Sequence, residues 1–112
     1  MFLPNQHLAI VEDRKIVAYL LNPQHQEGRG KALFFLHCGF RPETTDAFRK
    51  ALLQHAAEHP YVEKEETKFG VKYVVKGKIE TPHRVAVEIT TIWMVPVGTA
   101  HPKLITAYPS KP

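Results

Sequence analysis

Apolar residues recur in the first half of the chain at the three- and four-residue spacing of a helix. In the second half they recur at every other position, as in a strand. Asp13 can cap a helix that carries Ile16, Val17, Leu20 and Leu21 on one face. That helix should stop at Asn22-Pro23, because the residue before a proline resists the α region. A polar loop, Gln24 to Gly30, leads into a short, very apolar helix, Lys31 to Cys38, closed by Gly39. Thr45 or Asp46 opens a third helix that runs to about His59, with Phe48, Leu52 and Ala56 on its buried stripe, and Pro60 ends it.

From Tyr61 onward the pattern is that of strands. Tyr61 to Thr67 and Val71 to Ile79 alternate imperfectly, with Phe69-Gly70 as a turn or bulge between them. Thr81-Pro82-His83 reads as a turn. The next strand, Val85 to Val95, has Val85, Val87, Ile89, Thr91, Trp93 and Val95 on one face; Ala86, Glu88, Thr90, Ile92 and Met94 lie on the other. A loop from Pro96 to Pro102 precedes a last strand, Lys103 to Tyr108. Helices first and strands afterwards, with hairpin-length connections, predict an α+β fold: N-terminal helices packed on one face of an antiparallel sheet of about four strands.

The chain has 112 residues, enough for one domain, 1–112, with a loose C-terminal tail expected from about Pro109. Cys38 is the only cysteine, which excludes an intrachain disulfide and a thiolate metal cluster. Nothing in the sequence calls for a metal or another cofactor. No apolar run reaches the roughly 20 residues of a bilayer span, and the N-terminus lacks the basic region and cleavage site of a secretory signal. No membrane partner and a cytoplasmic location are therefore expected. Fifteen Lys and Arg against eleven Asp and Glu leave a net charge of +4, compatible with an RNA, DNA or acidic partner.

The most unusual segment is Asn22-Pro23-Gln24-His25-Gln26-Glu27-Gly28-Arg29-Gly30-Lys31. Free amides and the dipole at a helix N-terminus favour an anion, and Arg29, Gly30 and Lys31 would help to bind a phosphate there. His25 is the side chain best suited to moving a proton near neutral pH. The plainer reading is a polar interhelical loop with solvated cations. The run is not a Walker A loop, because no strand precedes it and Ala32 stands where Ser or Thr would bind magnesium. His55 and His59 share a helical face by spacing, but two ligands do not make a zinc site, and a solvated face is expected. His37 and Cys38 are neighbours that point in different directions, with Cys38 expected in the core or at the helix end. His83 and His101 read as surface residues of a turn and a loop, and Trp93 as a core anchor. Thr106 and Tyr108 share a face of the last strand, which either looks at the His25–Lys31 loop or inward.

These blocks resemble an uncharacterised small bacterial domain family. Its pattern is Tyr-Leu-Leu-Asn-Pro-x-His-x-x-Gly-x-x-Lys-Ala-x-x-Phe, then a Gly-x-x-Tyr strand, a tryptophan strand and a terminal Leu-x-Thr-x-Tyr. Here it falls on Asn22, His25, Gly28, Lys31, Phe34, Gly70, Tyr73, Trp93, Leu104, Thr106 and Tyr108, within Tyr19 to Tyr108. One departure is Gln26, where the family usually has a second proline after the histidine. More distantly, the order of parts resembles the barnase/EndoU/colicin/RelE-like nuclease toxins. That resemblance implies metal-independent RNA cleavage through 2′-hydroxyl attack to a cyclic phosphate. It gives His25 the role of base or acid, and lets Lys31 with Arg29 and Gly30 stabilise the phosphoryl charge. Thr106 and Tyr108 would orient the phosphate, and Tyr108 would be a second proton carrier. The implied partners are RNA and a small acidic antitoxin or immunity-like protein. The alternative is a non-catalytic protein-binding module of immunity type, or a phosphate-binding one.

Overall fold

Proline and glycine punctuate the chain where its elements change. The computed structural model describes residues 1–83 and 85–110. Helix α1 (Asp13–Lys15) runs directly into a π-helical segment, Ile16–Leu20, and the pair ends before Asn22-Pro23. Asp13 does not cap it: Glu12 is the N-cap, without a side-chain bond, and the Asp13 carboxylate pairs with Arg49 instead. Helix α2 (Arg29–His37) begins two residues earlier than the apolar run, and Cys38 and Gly39 (φ 104°) close it. A short 3-10 turn, Pro42–Thr44, leads into α3 (Thr45–Glu58), which stops ahead of Pro60.

The four strands are β1 (Tyr61–Thr67), β2 (Gly70–Ile79), β3 (Val87–Pro96) and β4 (Lys103–Pro109), paired antiparallel in the order β1-β2-β3-β4. The fold is α+β, with the helices ahead of the sheet. Strand β3 begins two residues later than its alternation suggests. Thr81 explains this: its hydroxyl donates to Val85 O at 2.6 Å and accepts from Val85 N at 3.3 Å, holding that residue in the connection. At the other end β4 continues through Pro109, and Ser110 donates its amide to Glu88 O at 3.1 Å. The loose tail expected from Pro109 therefore does not begin there; Lys111 and Pro112 lie outside the described residues.

The core lies between the helices and one sheet face. Phe35, Phe48 and Leu52 from the helices meet Val75, Ile89 and Trp93 from the sheet, and Phe40 stacks on Phe48 at 4.4 Å. Helix α3 packs on β2, whereas α2 and α1 pack against β4. That offset brings the first two helical segments to the β4 edge, where their side chains meet residues of the opposite sheet face.

A register shift in β4 decides which residues those are. Trp93 pairs with Leu104 but Ile92 pairs with Thr106, so Ile105 is an extra residue. Strict alternation would put Leu104 on the same face as Thr106 and Tyr108. With the bulge, Leu104 and Ala107 enter the core, while Thr106 and Tyr108 lie on the face of Ile92 and Thr90.

His55 corrects an expectation. It is not on a solvated face but 1% exposed, against the sheet. Its Nε2 bonds Gly77 O at 3.2 Å, and its Nδ1 bonds Thr91 Oγ1 at 3.3 Å. Thr91 Oγ1 also accepts from Trp93 Nε1 at 2.8 Å, and His59 Nδ1 bonds His55 O at 2.8 Å. Burial, with the adjacent His59, lowers the His55 pKa from 6.5 to about 4, against the opposing pull of the Gly77 and Ile89 carbonyls and Glu58. The two imidazoles at helical spacing are structural groups, each committed to backbone hydrogen bonds.

Candidate functional site

Three segments far apart in sequence converge at the β4 edge. The π-helical segment supplies Tyr19, the first turns of α2 supply Lys31, and β4 supplies Thr106. Lys31 Nζ donates to Tyr19 Oη at 2.6 Å and to Thr106 Oγ1 at 3.2 Å, and the two hydroxyls are 2.9 Å apart. The same ammonium sits 5.2 Å from the centre of the Tyr19 ring and 5.7 Å from that of Tyr108. The Tyr108 ring is thus within cation–π reach of it, whereas Tyr19 meets it at the phenolic oxygen. The π-helical turn, a departure from regular helix often found at functional sites, carries Tyr19.

His25 joins the cluster through the loop. Asn22 organises that loop: its Oδ1 accepts from Gln24 N at 3.0 Å and its carbonyl accepts from His25 N at 3.1 Å. The imidazole packs edge-on to Tyr19, with ring centres 4.9 Å apart. Its Nδ1 accepts from Gly28 N at 2.9 Å and from Glu27 N at 3.2 Å. An Nδ1 that accepts two backbone protons puts the neutral ring's own proton on Nε2, which makes Nε2 a donor. Gly28 is glycine for a steric reason: a Cβ there would lie 2.7 Å from the Tyr19 ring.

Glu12, Arg14, Lys15, Ala18, Tyr19, His25, Glu27, Ile105 and Thr106 line a cleft of about 590 Å³. Of the expected site residues, Lys31 meets Thr106 and Tyr108 directly and His25 reaches them through the Tyr19 ring; His25 and Thr106 line the cleft, and Lys31 and Tyr108 do not. Arg29 and Gly30 begin α2 exposed, and neither lines the cleft; Arg14 and Lys15 supply the cations of its wall. The open face, rather than the core, is therefore where the Thr106–Tyr108 pair looks. Tyr108 also borders a second cavity of about 260 Å³, with Glu63, Glu65, Lys72, Val74, Lys76 and Ile92.

Tyr19 is the residue that sequence reasoning missed, although it opens the Tyr-Leu-Leu-Asn-Pro block. Burial raises the pKa of its phenol, but hydrogen bonds from Lys31 and Thr106 and the charges of Lys31 and Lys15 outweigh this and leave it below the ordinary 10. A phenol held this way can accept or donate a proton. An ammonium beside two hydroxyls and an Nε2–H can hold a phosphoryl group. Among the described residues no helix is long and apolar enough to cross a membrane.

The chain belongs to the family described as "Domain of unknown function (DUF6883)", which it matches over residues 2–111. The sequence blocks had implied such an uncharacterised domain family. Among solved structures it is similar to a chain of a contact-dependent growth inhibition toxin–immunity protein complex from Klebsiella pneumoniae 342. The two share 14% identity and a TM-score of 0.72, over 96% of this chain and 97% of that one. At that identity the likeness is one of fold. No curated protein matches the sequence.

Proposed function

We propose that this member of the family is a small metal-independent ribonuclease of toxin type, restrained by an acidic protein partner. The observation that supports it best is the Lys31–Tyr19–Thr106 cluster beside His25, at a cleft whose wall carries Arg14 and Lys15. In this reading an RNA phosphate lies against Lys31, Thr106 and the Nε2–H of His25, with Tyr108 over the far side of the ammonium. The ribose 2′-oxygen loses its proton and attacks the adjacent phosphorus. The bond from phosphorus to the 5′-oxygen breaks, leaving a 2′,3′-cyclic phosphate and a 5′-hydroxyl. Lys31 and His25 stabilise charge building on the non-bridging oxygens, and Tyr108 is the proton carrier for the leaving 5′-oxygen. Arg29, on the exposed first turn of α2, acts on flanking phosphates at longer range.

The net charge of +4 suits an acidic inhibitor, whose encounter opposite charge would speed. The similar solved chain comes from a complex of a toxin with an immunity protein, which supports this pairing. That likeness equally supports the second reading, in which the chain is a non-catalytic immunity-type module that uses the same cleft or sheet face to bind protein. The experiment that separates them is incubation of purified, inhibitor-free protein with end-labelled total RNA in EDTA, beside Lys31→Met and His25→Ala. Cyclic-phosphate ends from the wild type, lost in Lys31→Met, are expected. Absence of cleavage by the folded wild type would favour the binding module, and equal cleavage by all three would point to a contaminant.

A further inference from the structure

The ribonuclease reading needs a group that takes the 2′-hydroxyl proton, and the hydrogen bonds of the site argue against the imidazole. The Nδ1 lone pair of His25 is engaged by the amides of Gly28 and Glu27, and its Nε2 carries the proton. To accept at Nε2 the ring would have to protonate Nδ1 against two backbone donors that already point at it. Lys31, as the donor to both Tyr19 and Thr106, has no lone pair to offer. Glu12 and Glu27 line the cleft too, but both are exposed at its rim, and neither carboxylate bonds a member of the cluster.

Resting on the ribonuclease reading, we infer that Tyr19 is the catalytic proton acceptor of this site, acting as a phenolate held by Lys31 and Thr106. Lys31 can only donate, so Tyr19 Oη always accepts one bond from it. A single proton bridges Tyr19 Oη and Thr106 Oγ1. When the phenol is ionised, that proton belongs to Thr106, and both neighbours donate to the oxygen, which favours the charged form. The same surroundings hold the phenol below its ordinary range. Three features hold the ring in place: the π-helical turn that carries it, the missing side chain at Gly28, and the His25 ring at its edge. In the reaction the 2′-hydroxyl proton moves to Tyr19 Oη as the 2′-oxygen bonds to phosphorus. The leaving 5′-oxygen takes its proton from Tyr108, and proton exchange with water restores both phenols. On this assignment His25 is a donor to the phosphate and a support for the Tyr19 ring.

The test pairs rate–pH profiles in EDTA with a spectroscopic titration of the tyrosines, for wild type, Tyr19→Phe and His25→Gln. Tyr19→Phe removes one oxygen and keeps the ring that packs against Gly28. A loss on the order of 100-fold or more is expected for it, the usual scale of general-base catalysis, together with loss of the alkaline rise of the wild-type profile. In near-ultraviolet absorbance, one of the four tyrosines should ionise ahead of the rest in wild type and His25→Gln, and this early step should vanish in Tyr19→Phe. Activity of Tyr19→Phe within a few-fold of wild type would overturn the assignment. So would a carboxylate-like pH limb that survives in it, which would move the role to Glu12 or Glu27. A Tyr19 phenol that ionises together with the others would overturn it as well. If wild type does not cleave RNA while the early phenol step is present, the ribonuclease reading itself fails, and the acceptor role falls with it.

Discussion

Lowering the pH should destabilise this protein through one residue, His55. The folded state holds its imidazole neutral, with a pKa of about 4 against 6.5 for an ordinary histidine. Between those values the unfolded chain binds a proton that the folded chain refuses, so the stability difference favours the folded state fully only above about pH 6.5. It is lost as the pH falls towards 4, and below that both states carry the proton and the loss levels off. At about 1.4 kcal/mol per pKa unit, the shift corresponds to roughly 3 kcal/mol. That is a large part of the roughly 5–15 kcal/mol by which a domain is usually stable. With a urea slope of about 1–3 kcal/mol per molar, the midpoint should drop by roughly 1–3 M between about pH 7.5 and pH 4. Trp93, the only tryptophan, reports unfolding directly, because its indole nitrogen bonds the same Thr91 hydroxyl that His55 does. Carboxylates contribute near the acid end, so the comparison is with His55→Gln. That variant should be less stable at neutral pH, with a smaller loss over the same range. An acid loss of the same size in wild type and His55→Gln would refute the reasoning.

Glycine substitutions probe two close packings. Gly77→Ala would place a Cβ 2.3 Å from the His59 ring, and should destabilise by about 1–3 kcal/mol in urea unfolding, as overpacking does. Gly28→Ala would meet the Tyr19 ring at 2.7 Å and should displace it, so the early tyrosine ionisation should disappear while the far-ultraviolet spectrum stays native. Thr106→Val removes one of the two hydrogen-bonding partners of Tyr19 Oη; its phenol should titrate higher than in wild type, though still below its value in Lys31→Met. Leu52→Ala, in the centre of the helix–sheet core, should cost about 2–5 kcal/mol in the same unfolding assay.

The elements were legible because the signals that specify them are local. Pro60 and Gly39 end helices within a residue or two of where they stand, and the alternation of Ile89, Thr91 and Trp93 marks a buried strand face by itself. The errors at boundaries came from side-chain bonds that a period does not show, one local, Thr81 to Val85, and one between distant elements, Asp13 to Arg49. His55 was misread for a related reason: at helical spacing a histidine looks polar, and only the approach of Gly77 and Thr91 gives both of its nitrogens partners inside the core.

The candidate site divides in the same way. That His25, Lys31, Thr106 and Tyr108 were residues of interest could be read from their types and spacing. The α+β order of elements likewise followed from the sequence by itself. The tertiary structure alone decided that the last strand carries an extra residue at Ile105, which turns Leu104 inward and leaves Thr106 and Tyr108 on the open face. It alone put Tyr19 against Thr106, 87 positions away, and gave Lys31 to both. Helix and strand preferences are settled among neighbours a few residues apart. The state of a phenol or an imidazole is settled by whichever charges and hydrogen-bond partners the completed fold sets within about 3 Å of it.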